Sequence, residues 1–448
     1  MSRDTIRLPH DAYRLLQTLR AAGHSAYVVG GCVRDSLLGR MPGDWDICTS
    51  ARPDEMRALF HDQRMILTGE KHGTVAVILH GKPYEMTTYR LDGSYRDHRH
   101  PDSVQFVDDL AEDLARRDFT INAMAYSAEE GLIDPFGGRD DLAAHLVRAV
   151  GEPERRFEED ALRILRLYRF AARFGFAIDP ATGAAARALG PHLDCVSAER
   201  IQEELLKLLA APRPGSYLEP AVLAVILPEL EPEKQPERFA ELCRTIDRIE
   251  PTAENVPARL AALLYPLGEA GARKALRKLK CSNALTDEVT ALEREAGGGA
   301  GSFLLGHESG HSIARPIACG NRVPPQRTVL GETPGTPNTT LTVQAKRLLG
   351  RYELPTIQRL TALCSARHPE QAEAFAALRA EAERLTAENA CCRVSQLAVN
   401  GRDLMAAGVR PGPGLRQVLN ALLEAVITGQ TPNEKDALLA AAVQFSAS

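Results

Sequence analysis

Two glycines followed by two closely spaced aspartates constrain this chain more than any other feature. The apolar run Ala26-Tyr27-Val28-Val29 reads as a short strand, and it ends in Gly30-Gly31-Cys32-Val33-Arg34-Asp35. Paired glycines let backbone approach a ligand closely with amide groups aimed at an anion. The helix expected over Val33 to Leu38 adds positive potential for phosphate, and Arg34 offers a side-chain clamp. Asp44-Trp45-Asp46 comes next, and on extended backbone the two carboxylates point to one face. Side by side they repel unless cations lie between them. That is what two Mg²⁺ ions about 4 Å apart require for in-line phosphoryl transfer. Glu85, on the later strand Tyr84 to Arg90, is the candidate third carboxylate.

Strand-like and helix-like patterns are segregated along the chain. The first ~140 residues mix short β runs with helices, by the periodicity rules. Leu8 to Ala22 and Pro53 to Phe60 read as helices, and Asp46-Ile47-Cys48 as a strand. Thr74 to His80 and Tyr84 to Arg90 read as paired strands around a Gly81-Lys82-Pro83 turn. Leu91 to Ser103 has the polar, charged composition of a mobile loop. From about Glu154 onward the pattern is almost wholly helical, with Arg156 to Phe174 expected as one long amphipathic helix and Ala198 to Leu209 as another. The fold class is therefore α+β, a mixed head on an all-α remainder. The expected divisions are a head over 1–150, a helical neck over 151–220, a helical body over 221–296, a Gly/Pro-rich insertion over 297–341, and a helical body and tail over 342–448. An insertion of that length without periodicity is unusual inside a compact domain.

At 448 residues the chain is too long for one ordinary core. No apolar run approaches the ~20 residues that span a bilayer, and the first residues lack a secretory pattern. Nine cysteines without CxxC spacing fit reduced thiols, so the expected location is cytoplasmic. A formal net charge of −5 does not advertise a nucleic-acid binder, but a binding face needs only local positive potential. Arg155 to Arg173, with six arginines, and Ala272 to Lys280 are the basic stretches.

Several ordered blocks carry a family resemblance. GGCVRD with DWD is followed by TGEKHGTVAV, YEMTTYR, DLARRDFTINAMAY, DPFGG and RRFEEDALRILRLYRFAARFGF, and late in the chain by NGRDLMAAGVRPGPGLRQVLNALLEAVITG. Together they resemble the class II tRNA nucleotidyltransferases and the bacterial poly(A) polymerases related to them. The resemblance implies a DNA-polymerase-β-like head with all-α neck, body and tail. It implies that Asp44 and Asp46 hold catalytic Mg²⁺, with Glu85 completing the catalytic set. It also implies that Gly31 and Arg34 contact the triphosphate of CTP or ATP, that Arg117 contacts the nucleotide, and that Asp118 lies near the ribose. Base reading falls on Asp160 and Arg163, with Arg166 and Arg169 as further nucleotide contacts.

The base-reading set also has a physical rationale. Asp160, Arg163, Arg166 and Arg169 step by three residues, so on a helix successive members are neighbours. A carboxylate only accepts and a guanidinium only donates. Cytosine and adenine both present an amino donor beside a ring-nitrogen acceptor, whereas guanine and uracil present a carbonyl in place of that amino group. An Asp–Arg pair therefore admits C and A and leaves a buried charge mismatched against G or U.

Within the resemblance, the polar segment Leu91 to His100 sits where CCA- and A-adding members carry a loop, which favours addition of C, C and A to the tRNA 3′ end. A-only addition and poly(A) synthesis are the alternatives. Leu263-Leu264-Tyr265-Pro266 stands where many relatives carry a His-Asp doublet, so no phosphohydrolase activity is expected. The insertion contains His307-Glu308-Ser309-Gly310-His311, a formal HExxH zinc-peptidase match. It lies in Gly- and Pro-rich sequence of poor helix propensity, and Glu332 is the only candidate third ligand noted.

Overall fold

The computed structural model describes residues 5–92, 104–298 and 339–446. Most of the loop over Leu91 to Ser103 and the whole HExxH segment lie outside them. Two compact units account for the described residues. The first comprises residues 1–247 with 251–256 and 274–282, and the second comprises 248–250, 257–273 and 283–448.

The first unit is built on a seven-stranded sheet. Its strands are β1 (Ala26–Val29), β2 (Ile47–Thr49), β3 (Arg64–Ile66), β4 (Thr74–Leu79), β5 (Lys82–Thr88), and the pair Ala125–Ser127 and Gly131–Ile133. The spatial order is β3-β4-β5-β2-β1 followed by that pair. Neighbours run antiparallel except β2 and β5, which are parallel with Ile47 opposite Met86. All four residues of β1 are buried, as a strand flanked on both edges requires. The hairpin turn differs from the expected one. His80 and Gly81 both have positive φ, at 49° and 78°, and they alone join the strands. Lys82 and Pro83 already pair with Leu79 and Ile78. A two-residue turn of this hand matches the twist of the strands it connects.

Helices α1 (His10–Ala21), α2 (Gly31–Leu37), α3 (Pro53–Leu59) and α4 (Leu110–Ala115) accompany the sheet. Tyr27, Val29, Cys48, Tyr89, Leu114, Ala125 and Val150 form one buried cluster, with Leu91 and Phe136 packed against it. After the sheet come α5 (Gly138–Ala143), α6 (Pro153–Glu159), α7 (Leu162–Phe174), α8 (Pro180–Ala188) and α9 (Ala198–Leu209). The helix expected over Arg156 to Phe174 is thus two helices. Asp160 interrupts them with φ −145° and ψ 102°, extended values that end the i→i−4 ladder. Its carboxylate accepts from the backbone N–H of Leu162 at 3.1 Å, as an N-capping side chain does.

The second unit is helical. Asn283–Gly298 and Leu354–Arg367 pack together, and the latter packs on Ala372–Ala387, which also meets Thr339–Arg351. The helices Asn283–Gly298 and Thr339–Arg351 take up the first and last residues of the expected insertion. A separate core near the C-terminal end gathers Val399, Leu404, Val409, Val418, Leu422, Val426, Leu438 and Ala442. Among the described residues, no helix is long and apolar enough to cross a membrane.

The second glycine of DPFGG has a packing cause. A Cβ on Gly138 would lie 2.2 Å from the carbonyl oxygen of Thr120, two residues beyond Asp118, so α5 approaches that segment by backbone alone. Gly138→Ala is expected to destabilise the fold by roughly 1–3 kcal/mol, the usual cost of forced overpacking. A thermal or urea melt reads this, and an unchanged midpoint would contradict the close approach.

Candidate active site

The carboxylates expected to be catalytic are brought together by strand register. Ile47 opposite Met86 places Asp46 beside Glu85 on the two parallel strands. Antiparallel pairing of β1 with β2 brings the Val29 N–H to the Asp46 carbonyl at 3.0 Å, so the strand closes at Gly30 with Asp46 alongside. Along β5, Tyr84 and Met86 are buried while Glu85 between them is exposed, so the carboxylate stays on the accessible side. Asp44 lies exposed, ahead of β2.

Electrostatics tie the three acids together. The Asp46 carboxyl is pushed up to about 6 by burial, then by the charges of Asp44 and Glu85, with Arg117 pulling the other way. Like charges are crowded here and only partly compensated. A divalent cation would relieve that crowding, and hard oxygen donors suit one. Among the described residues, no three His, Cys, Asp or Glu side chains converge tightly enough to enclose an ion by themselves. An open carboxylate face of this kind leaves coordination positions for phosphate and water.

Gly30 and Arg117 form the second side of the site. Gly30 has φ 77°, and a Cβ there would meet the Arg117 guanidinium at 2.9 Å. The first glycine of the pair therefore serves a left-handed backbone and a guanidinium beside it. Gly31 begins α2, and a Cβ there would meet only the Arg34 guanidinium, at 3.6 Å. Arg34 is deeply buried. Its Nε donates to Asp35 at 2.8 Å, and its Nη1 donates to Asn122. Burial lowers its pKa. Its Nη2 also lies 2.7 Å from Asp35, so Arg34 is held in place by partners within the fold.

Arg117 donates weakly to Asp113 at 3.4 Å. Asp113 also takes two N–H bonds from Arg116, at 3.0 and 2.8 Å. Asp118 is buried and accepts from Arg166 Nε at 2.9 Å and Nη2 at 2.7 Å, from Asn122 at 3.0 Å, and from the Phe119 N–H at 2.8 Å. Burial would raise its pKa, but Arg166 and Asn122 outweigh that and hold it at about 2.

Asp160 does not continue the three-residue helical step of Arg163, Arg166 and Arg169, because the helix breaks there. Asp160 and Arg163 are not paired with each other. Asp160 accepts from Arg200 at 2.8 Å, and Arg163 donates to Glu159 at 2.8 Å and to the Arg116 carbonyl at 2.9 Å. Arg169 is ion-paired with Glu204 at 2.7 Å, and burial draws its pKa down to about 10. Sequence reasoning placed Glu159 within the base-reading motif but did not single out Arg200, Glu204, Asp113 or Asn122. Glu204 left a signal, because it falls on the buried stripe of Ile201, Leu205, Leu208 and Leu209. An acid on an apolar stripe calls for a buried partner.

This arrangement of paired carboxylates, a Gly-Gly turn and an arginine-rich neck has counterparts in known families. Residues 26–148 match the family model described as "Poly A polymerase head domain". Residues 175–234 match "Probable RNA and SrmB- binding site of polymerase A", and residues 350–442 match "tRNA nucleotidyltransferase domain 2 putative". The first unit thus carries the head of a nucleotidyltransferase. Over 442 residues the sequence is 35% identical to a CCA-adding enzyme of Geobacillus stearothermophilus, covering 96% of this chain and 95% of the relative. A CCA-adding enzyme of Lactiplantibacillus plantarum is 34% identical over 427 residues, covering 95% and 93%. Among solved structures, the Bacillus stearothermophilus CCA-adding enzyme in complex with CTP superposes with a TM-score of 0.73 at 32% identity, over 97% of this chain and 96% of that one. The Thermotoga maritima CCA-adding enzyme complexed with tRNA shares the fold, with a TM-score of 0.65 at 21% identity. The chain belongs to the CCA-adding enzyme family, whose members use a divalent metal.

The raised pKa of Asp46 yields a stability prediction. Because its folded pKa lies above the ordinary carboxylate value, the fold binds a proton more tightly than the unfolded chain does. Stability therefore declines as pH rises from about 4 through about 6, and the penalty is complete above that. Asp46→Asn is expected to raise the melting temperature of the metal-free protein at pH 7.5 and to abolish nucleotide addition. Added Mg²⁺ is expected to raise the wild-type midpoint but not that of the variant. A lower midpoint for the variant would contradict the crowding.

Proposed function

We propose that this protein adds C, C and A to the 3′ end of tRNA from CTP and ATP, with the carboxylate face of Asp44, Asp46 and Glu85 as its catalytic centre and Mg²⁺ as its metal. The observation that carries the reading is similarity to CCA-adding enzymes along 96% of the chain. The tRNA 3′-hydroxyl attacks the α-phosphorus of the nucleotide. An O3′–P bond forms as the bond to the β-phosphate oxygen breaks, and pyrophosphate leaves with that electron pair.

Asp44 and Asp46, with Glu85 beside them, would hold the divalent ion. When bound, it lowers the pKa of the attacking hydroxyl and neutralises charge on the phosphates. Asp46 must be ionised for that role, so protons compete with the metal and half-maximal activity is expected to need more Mg²⁺ as pH falls toward 6. Gly31 offers backbone to the triphosphate at the start of α2. Arg117, beside Gly30 and electrostatically coupled to Asp46, is the guanidinium assigned to the nucleotide. Asp118, ionised over the whole working range, is the acceptor assigned to the ribose. It keeps Arg166 aligned with the site.

Asp160 and Arg163 would read the base by exchanging their partners Arg200 and Glu159 for the Watson–Crick edge of cytosine or adenine. A donor and an acceptor are thus kept satisfied until the base arrives. Guanine or uracil would return neither bond, and an unsatisfied buried charge costs on the order of 1–3 kcal/mol or more. The reduced thiols and the tRNA substrate assign the reaction to the cytoplasm.

The test is stepwise extension. Transcripts ending at the discriminator base, at C and at CC are incubated with Mg²⁺ and one nucleotide at a time. CTP should be incorporated on the first two and ATP on the third, with no product from GTP or UTP. Asp44→Ala should lose activity by a factor of roughly 10³ or more, as expected when a metal-holding carboxylate is removed. Incorporation of A alone, and only on CC ends, would replace the reading with A addition.

A further inference from the structure

The end of α7 carries two aromatic rings that no role above uses. Phe170 and Phe174 are one helical turn apart and lie nearly coplanar in orientation, with an interplanar angle of 5° and centroids 6.1 Å apart. Five guanidiniums stand over them. Arg166 and Arg169 lie 5.3 and 4.1 Å from the Phe170 centroid. Arg40 and Arg173 lie 5.1 and 5.3 Å from that of Phe174. Arg34, from α2, lies 5.3 Å from Phe170 and 4.9 Å from Phe174. All fall within the distance at which a ring quadrupole attracts a cation.

The carboxylates nearby do not neutralise this group. Asp35 serves Arg34 and Arg173, Asp118 serves Arg166, and Glu204 serves Arg169 and, at 3.7 Å, Arg166. Five cations share three acids. Arg40 is exposed, and among the described residues its side chain has no carboxylate partner; its guanidinium lies over the Phe174 ring. Mutual repulsion is felt within the group, since Arg173 works against the charge on Arg34, and Arg166 and Arg173 work against that on Arg169. Without the rings, such a set would spread into solvent or demand more acids.

We propose that Phe170 and Phe174 are positioning residues, forming an aromatic keel that holds a surplus of guanidiniums in place for a polyphosphate, and that Arg40 and Arg173 are additional contacts for the triphosphate of the incoming nucleotide and the pyrophosphate that leaves. This rests on the nucleotidyl-transfer reading. The keel does for cations what extra carboxylates would do, but without cancelling their charge. A ring face attracts a guanidinium without consuming its N–H donors, and those of Arg40 are taken by no carboxylate among the described residues. The location suits the ligand, because Arg34 follows the Gly-Gly turn and Arg166 is bonded to Asp118.

The test uses the full-length enzyme with inorganic pyrophosphate and tripolyphosphate as competitors of CTP. Phe174→Leu and Phe170→Leu keep apolar bulk and remove the quadrupole. Each is expected to raise the KM for CTP and the inhibition constants of both competitors roughly tenfold, consistent with loss of a partly desolvated cation–π contact. The KM for tRNA should stay unchanged. Phe174→Tyr, which restores a ring, should recover most of the loss. Arg40→Ala and Arg173→Ala sit at the surface and should fold normally while weakening pyrophosphate inhibition several-fold. Wild-type inhibition constants in Arg40→Ala and Arg173→Ala, or a tyrosine variant as impaired as leucine, would overturn the proposal. A rise in KM for tRNA instead of CTP would also overturn it, by assigning the cations to the RNA backbone. If the wild-type enzyme extends tRNA while these variants match it, the keel fails alone. If the wild type itself does not extend tRNA, the nucleotidyl-transfer reading fails first.

Discussion

The contact between Asp118 and Arg166 is where the sheet-based head and the helical neck become one site. Asp118 is buried, and its four donors come from two sources: Asn122 and the Phe119 amide on its own segment, and both arms of Arg166 from α7. An unpaired carboxylate at this depth would be strongly destabilising, so the neck helix is obliged to lie where Arg166 reaches it. Once α7 is fixed in that way, Arg163 falls against the Arg116 carbonyl and Arg169 against Glu204. The head therefore does not merely precede the neck. It sets the position from which the neck can present side chains to a nucleotide.

The carboxylate face follows the opposite logic. Asp118 is stabilised as an anion by its surroundings, whereas Asp46 is destabilised as one by burial and by Asp44 and Glu85. The two acids lie within one unit but are tuned in opposite directions, which suits the tasks proposed for them. An acceptor for ribose gains from permanent ionisation. A metal-holding acid gains from a deficit that only a cation fills, so that part of the binding energy is stored in the fold as repulsion. The neck carries the complementary arrangement, with guanidiniums in excess of their acids and held by Phe170 and Phe174.

Much of this was legible from residue order. The Gly-Gly turn, the DxD pair and Glu85 named the chemistry, and alternation in Tyr84-Glu85-Met86 put the glutamate on the accessible face. Period-two and period-3.6 patterns located β1, α1 and α9 nearly to the residue. The neck was less legible. Continuous apolar spacing from Arg156 to Phe174 suggested one helix, because the pattern of side chains across a break can stay in phase even when the backbone does not. Asp160 competes for the backbone with its own carboxylate, and that local bond to Leu162 decided the matter.

The sequence by itself determined the strand–turn–helix frame, the identities of the acids and the supply of arginines, because these depend on local periodicity and on functional groups. Only the tertiary structure decided their partners. Which acid neutralises which arginine depends on contacts between residues far apart in the chain, as with Asp118 and Arg166, Asp160 and Arg200, or Asp35 and Arg173. It likewise showed that the Gly-Gly pair is divided in its work, with Gly30 yielding space to Arg117 and Gly31 opening α2. Spacing can announce that a backbone must come close, but the group it approaches is fixed only when segments far apart in the chain are brought together in space.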